Sequence, residues 1–156
     1  MKYTTSMELS FYRMESQDLP FFLEVRNLVK DQLHDPREFG LAEALDWLSK
    51  TPTEYWIINL EGTQVGYFRI LRHNKRSWQI GADIHPSFQR QGIATNAYES
   101  FIKEVILRDI SPPKFLDLKV LKKNSIAYSL YLKLGFTVIS ESSEDIEMSL
   151  QLGPPA

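Results

Sequence analysis

Apolar residues recur along this chain in two rhythms, and the switches between them mark out its elements. Weak alternation around Leu9, Phe11 and Met14 predicts a first strand over 7–13. Asp18 then stands where a helix N-cap belongs, Pro20 suits the first turn, and Phe22, Val25, Leu28, Val29 and Leu33 follow at helical spacing. Arg26 and Asn27 lie beside that stripe, and the rarity of fully buried arginine places them facing solvent. The run 34–40 ends the helix, because the residue before Pro36 is pushed out of the αR region and Gly40 is a turn former. Leu41, Ala44, Leu45, Trp47 and Leu48 predict a second, shorter helix, closed by Thr51-Pro52.

The rhythm then shortens. Aromatic and β-branched residues over 55–60, 65–72 and 78–84 predict three strands, the first two joined by a tight turn at Glu61-Gly62. In the third, Trp78, Ile80, Ala82 and Ile84 alternate with Gln79, Gly81 and Asp83, so one face is buried and the other is open to a site. Gly81 marks either a bulge or a close approach of ligand or backbone. After Ile84-His85-Pro86 comes a short loop, Phe88 to Ala94, which opens into an amphipathic helix predicted over 92–108 with Ile93, Ala97, Phe101, Ile102, Val105 and Ile106 on its apolar face. The first N–H groups of a helix have no intrahelical partner and sit at its positive end, so this loop is suited to an anion. A strand over 115–120 completes a strand-helix-strand unit and should run parallel to the third strand, with a right-handed crossover. Asn124 caps a further helix bearing Ile126, Ala127, Leu130, Tyr131 and Leu134, and Gly135 supplies its stop. Segments 136–139 and 145–150 predict a closing antiparallel pair. One domain over 1–152 with a frayed tail, 153–156, is the expected organisation.

Composition narrows the chemistry. A chain of 156 residues, 43% hydrophobic and 24% charged, can bury a core without covalent staples. The absence of cysteine excludes disulfides, thiolate nucleophiles and cysteine-bound zinc. His34, His73 and His85 show no metal-ligand spacing, so no metal is expected. A net charge of -2 and a pI near 5.9 argue against nucleic acid and anionic membranes as partners. No apolar run reaches membrane-span length and residues 1–6 lack a signal-peptide core, so the expected location is cytoplasmic.

Two separated stretches together resemble the GNAT superfamily of acyl-CoA-dependent N-acetyltransferases. Gln89-Arg90-Gln91-Gly92-Ile93-Ala94 is similar to that family's pyrophosphate loop, with Ile84-His85-Pro86 before it also in pattern. Asn124 to Phe136 is similar to its second motif in the Asn, Ala, Leu-Tyr, Lys and Gly-Phe positions. The order of elements also resembles the family's α+β, three-layer fold: a mixed, mostly antiparallel twisted sheet of six to seven strands, flanked by about four helices, with one parallel pair splayed apart.

What the resemblance implies is specific. The donor is acetyl-CoA, and a primary amine, carried by a small molecule, an amino sugar or a protein, attacks it directly through a tetrahedral intermediate. Backbone N–H groups from Arg90 to Ala94, assisted by Gln89 and Thr95, would bind the pyrophosphate. Asp83, Ile84 and His85 would pair with the pantetheine arm along a strand edge exposed by the splay, and Gly81 would help to start that splay. Asn124 and Ala127 would touch the cofactor, and Lys122, Lys123 and Lys133 lie where a ribose phosphate passes or are simply solvated. Tyr131 would be the general acid for the departing thiolate; a phenol with a reference pKa of about 10 is protonated at neutral pH. Asp83 is a candidate base, with Glu54, His34 and His85 behind it, and a backbone N–H near Ile84 would hold the oxyanion. The acceptor pocket would be lined by 34–40 and 140–144, with Arg26, His34, Arg37 and Phe39 gripping an anionic or sugar-like acceptor. A module that binds acyl-CoA without turnover is the competing reading. The chain is expected to be a monomer or homodimer.

Overall fold

The computed structural model describes residues 7–153; the expectations for 1–6 and for the end of the tail lie outside them. Seven strands form: β1 (Leu9–Arg13), β2 (Glu54–Leu60), β3 (Thr63–Leu71), β4 (Ser77–Ile84), β5 (Phe115–Leu121), β6 (Thr137–Glu141) and β7 (Asp145–Gln151). They make one sheet in the order β1-β2-β3-β4-β5-β7-β6, antiparallel except for the β4-β5 pair. Helices α1 (Leu19–Leu28) and α2 (Leu41–Leu48) cover one face, over Tyr55, Ile57 and Tyr67. Helices α3 (Ile93–Phe101) and α4 (Ser125–Leu134) cover the other, over Ile58, Phe68, Ile80, Leu116 and Leu118. The layers are thus helix, sheet, helix, the α+β arrangement that the sequence predicts. On the α3 face Phe68 stacks on Phe101 with ring centroids 4.1 Å apart, and each fully buried side chain of this size contributes about 2 kcal/mol through apolar burial.

The feature that positions the site is the β4-β5 pair. Its ladder runs only from Ser77 and Phe115 to Gln79 and Asp117, after which the two strands part. On the β3 side β4 stays paired through Ile84, and the His85 N–H continues that ladder to the Val65 carbonyl at 2.8 Å. Backbone groups alternate in direction along a strand, so the N–H groups of Ala82 and Ile84 point away from β3 into the gap.

Several expectations need correction. The helix predicted through Leu33 stops at Leu28, which is 57% exposed; Val29 leaves helical geometry at ψ 11 and a 3₁₀ turn follows over Lys30–Gln32. Asp18 occupies the N-cap position of α1 but caps backwards. Its carboxylate accepts from the Glu15 N–H at 2.9 Å and from Gln64 Nε2 at 2.9 Å. The helix after Gly92 is α only to Phe101 and continues as a π turn over Ile102–Ile106, in which the Leu107 N–H reaches the Ile102 carbonyl at 2.9 Å. Gly81 makes no bulge, because the β3-β4 register is continuous past it. The strand predicted over 136–139 lies at Thr137–Glu141, since Phe136 is buried and its N–H closes the end of α4 on the Tyr131 carbonyl at 3.0 Å.

Candidate functional site in the gap between parallel strands

The loop between β4 and α3 is shaped by two left-handed residues. Arg90 has φ 63 and Gly92 φ 77, a conformation that costs an ordinary L-residue about 1–2 kcal/mol and glycine nothing. Gly92 is the N-cap of α3, and the Asn96 N–H makes the first intrahelical bond to its carbonyl at 3.2 Å. The N–H groups of Ile93, Ala94 and Thr95 therefore open onto the loop with no carbonyl of their own helix to bind. Ala94 and Ala127 keep the walls low. Before the loop, Gln89 Nε2 donates to the Ile84 carbonyl at 3.0 Å and fixes the end of β4. His85 is a turn element. Its Nδ1 accepts from the Ser87 N–H at 3.1 Å, so the ring's proton sits on Nε2, 2.6 Å from Glu24 on α1.

Across the gap Asn124 Oδ1 accepts from the Ala127 N–H at 3.2 Å, the capping role expected of it. Gly135, at φ 102, ends α4. One turn before that end stands Tyr131, buried, with its hydroxyl accepting from the Tyr98 hydroxyl at 3.3 Å. Burial pushes the Tyr131 phenol above its ordinary value; the Tyr98 hydrogen bond and Arg69 act against that rise, and Asp83 adds to it. Tyr98 is pushed well above its ordinary value by burial, with Tyr131 adding to it. Both hydroxyls are thus protonated at neutral pH. Tyr98 was missed in the sequence, although it stands four residues after Ala94 and three before Phe101, within the buried stripe of α3.

These pieces line one cavity of about 670 Å3. It brings together Asp83, Ile84, Gln89, Arg90, Gly92, Ile93, Ala94, Thr95, Asn124, Ala127 and Tyr131 from the donor-side expectations, and Arg26, His34, Arg37 and Phe39 from the acceptor side. It leaves out His85 and Gln91, whose side chains turn away, and Lys122, Lys123 and Lys133; Lys119 lines it instead. Residues 140–144 do not reach it, which corrects the expected second wall.

The wall formed by residues 34–40 is a loop pinned by side chains. Arg26 is buried rather than solvated: Nη1 donates to the Arg37 carbonyl, Nη2 to the Asp35 carbonyl at 2.6 Å, and the guanidinium stacks 4.4 Å above Phe39. Asn27 pairs with the Phe39 backbone in both directions, at 3.1 and 3.2 Å. Arg37 is bidentate on Asp35, at 2.9 and 2.8 Å, and this hydrogen bonding holds the Asp35 carboxyl down at about 2. His34 reaches Asp145 at 2.6 Å, tying the loop to the start of β7.

Two base candidates are engaged elsewhere. Glu54 pairs with Arg13 and Arg72 outside the cavity. Asp83 is inside and buried, but its Oδ2 accepts both the Tyr67 hydroxyl at 2.6 Å and Arg69 Nη1 at 2.5 Å. Among the described residues, no group of His, Asp and Glu side chains is placed to hold a metal, and no helix is long and apolar enough to cross a membrane.

Comparison with known proteins agrees with this geometry. The model of the acetyltransferase (GNAT) family matches residues 15–136. Solved structures of similar fold include a domain from Methanocaldococcus jannaschii, with TM-score 0.80, 20% identity and coverage of 94% of this chain and 100% of that one. The N-acetyltransferase PseH of Campylobacter jejuni, solved with acetyl coenzyme A, gives TM-score 0.71 and 18% identity over 94% and 100% of the two chains. A ribosomal-protein-alanine N-acetyltransferase from Brucella melitensis gives 0.73 and 16% over 92% and 99%. No curated protein matches the chain significantly in sequence.

Proposed function

The chain belongs to the GNAT acetyltransferase family, and from that premise we propose that it moves an acetyl group from acetyl-CoA to the primary amine of a small molecule or a protein. The observation that carries this reading is the single cavity that runs from the Arg90–Thr95 backbone, through the strand gap and past Tyr131, to the pinned loop at 34–40.

Acetyl-CoA fits the residues present. The N–H groups of Ile93, Ala94 and Thr95 converge on a loop whose left-handed Arg90 and Gly92 turn the backbone inward, a cradle for pyrophosphate. The edge of β4 offers the Ala82 N–H to an amide of an extended arm, as one strand does to another, and leaves the Ile84 N–H for the reacting carbonyl. When bound, the thioester supplies an activated acyl group and a thiolate leaving group.

The chain's own residues then act in sequence. The Ile84 N–H meets the negative charge that develops on the acyl oxygen under attack. Tyr131 donates its proton to the departing sulfur, and the Tyr98 hydroxyl fixes that phenol in place. Asp83, with Oδ2 held by Tyr67 and Arg69, offers Oδ1 to the incoming amine, whose surplus proton leaves through water in the cavity. The chain has no cysteine to carry the acyl group as a thioester, which supports direct attack by the amine.

The test is thiol release from acetyl-CoA over a panel of primary amines, run beside calorimetric titration with coenzyme A. Release with at least one amine is expected. Tight coenzyme A binding with no release on any acceptor would favour a non-catalytic binding module instead.

A further inference from the structure

Three arginines line the cavity on the side away from the phosphate loop, and two of them hold the 34–40 loop by two hydrogen bonds each. Arg26 holds two loop carbonyls and Arg37 holds both oxygens of Asp35. Arg69 differs. Only its Nη1 is engaged, by Asp83, and the Nε/Nη2 edge has no partner among the described residues.

Register explains where that edge lies. Arg69 stands opposite Gly81 across β3-β4, and a Cβ on Gly81 would come within 2.3 Å of Nη2 and 2.9 Å of Cζ, so the guanidinium lies against a bare glycine. The close approach for which a glycine in this strand was flagged is therefore a side chain of the chain itself. Just beyond Gly81 the strands have parted, and a second groove of about 360 Å3 opens between them. Lys119 of β5 stands on its far side, and its ammonium makes no hydrogen bond or ion pair among the described residues. Arg69 and Lys119 both line the main cavity and the groove, so the two spaces meet between two cations. Two carboxylates share the groove: Asp117, which accepts from Ser149 at 2.7 Å, and Glu147, which stands opposite Lys119 across β5-β7 and accepts from Ser140 at 3.1 Å.

We propose that Arg69 and Lys119 form a subsite for a carboxylate on the acceptor, so that the acceptor is a primary amine bearing a carboxylate. The proposal rests on the transferase reading above. A planar guanidinium edge matches a carboxylate in two parallel hydrogen bonds, and a mobile ammonium opposite completes the clamp. Spacing narrows the class. Gly81 and Ile84 are three residue steps apart, roughly 10 Å along a strand, so amine and carboxylate stand several bonds apart, as in an ω-amino acid, and not on one carbon.

The experiment compares δ-aminovalerate with its uncharged counterpart δ-aminovaleramide, by calorimetry on the protein saturated with coenzyme A and by thiol release from acetyl-CoA. The carboxylate form should bind about tenfold to a hundredfold more tightly, the usual worth of a charge-assisted pair. Arg69→Gln should erase most of that preference. Lys119→Gln, at an exposed strand position whose loss leaves the fold intact, should reduce it severalfold and keeps the test independent of any folding defect in the Arg69 variant. Equal binding of the two ligands, no binding of either, or a preference unchanged in both variants would overturn the subsite. Failure of the transferase reading looks different: no amine, with or without a carboxylate, would release thiol from acetyl-CoA, and the subsite proposal would fall with it.

Discussion

The two ends of the cavity are built from different materials. At the Arg90–Thr95 end the groups that the proposed function uses are backbone: N–H groups of Ile93 to Thr95, set by left-handed Arg90 and Gly92, and the strand edge at Ala82 and Ile84. At the other end they are side chains locked to partners far away in sequence, such as Arg26 on the carbonyls of 35 and 37 and His34 on Asp145. A backbone site recognises what every donor molecule shares and tolerates side-chain change. A side-chain site carries the identity of one acceptor. The contrast predicts where substitutions should hurt and in which assay.

Tyr131, where the two ends meet, gives the largest effect. Tyr131→Phe should lower turnover by about a hundredfold to ten-thousandfold with coenzyme A affinity little changed. A rate like that of the unaltered protein would return the residue to a packing role. The pH profile carries a matching signature. Burial raises the phenol's pKa above its ordinary value, so the acid form persists as pH rises toward that value. Activity should climb as the acceptor amine loses its proton, with no descending limb below about pH 10.

Next comes Gly92→Glu, which adds backbone strain at φ 77 and a negative charge at the helix N-terminus. Coenzyme A affinity should fall by about a hundredfold or more; retained affinity would mean that the loop is not the phosphate site. Arg26→Leu attacks the opposite end. It leaves the carbonyls of Asp35 and Arg37 without their donor and should cost about 2–4 kcal/mol in denaturant unfolding, while coenzyme A affinity stays the same. A variant of normal stability would show that the loop is held by something else. The smallest effect sharpens the contrast most: Arg90→Ala removes a side chain but keeps the N–H, so coenzyme A affinity should stay within about threefold. A larger loss would make the loop a side-chain site after all.

The same contrast governs what the sequence makes legible. Gly92 and the two capping residues of α4, Asn124 and Gly135, act within one turn of themselves, so reading along the chain finds them. The parallel β4-β5 pair is legible because a helix must separate its strands. Arg69 is not legible as a site residue, since its position over Gly81 depends on the β3-β4 register, which no local pattern states. For the same reason the chain alone leaves Gly81 open between a bulge and a close approach. Arg26 read as solvated because its partners lie in a loop that folds back nine to eleven residues later. Tyr98 and Tyr131 are 33 positions apart, and only the packing of α3 on α4 joins their hydroxyls. The π turn over Ile102–Ile106 escapes an apolar stripe that looks continuous, because the helix ends at Leu107 and no later turn is left to show the displaced face.

The central claim is that backbone amides hold the donor. An amide-resolved NMR titration of the protein with coenzyme A tests it most directly. The largest shifts should fall on the N–H groups of Gly92 to Thr95 and of Ala82 and Ile84, with little movement at Asp35, Arg37 and Phe39. Saturable binding that leaves the loop and the β4 edge unmoved while the 34–40 loop shifts would contradict the account.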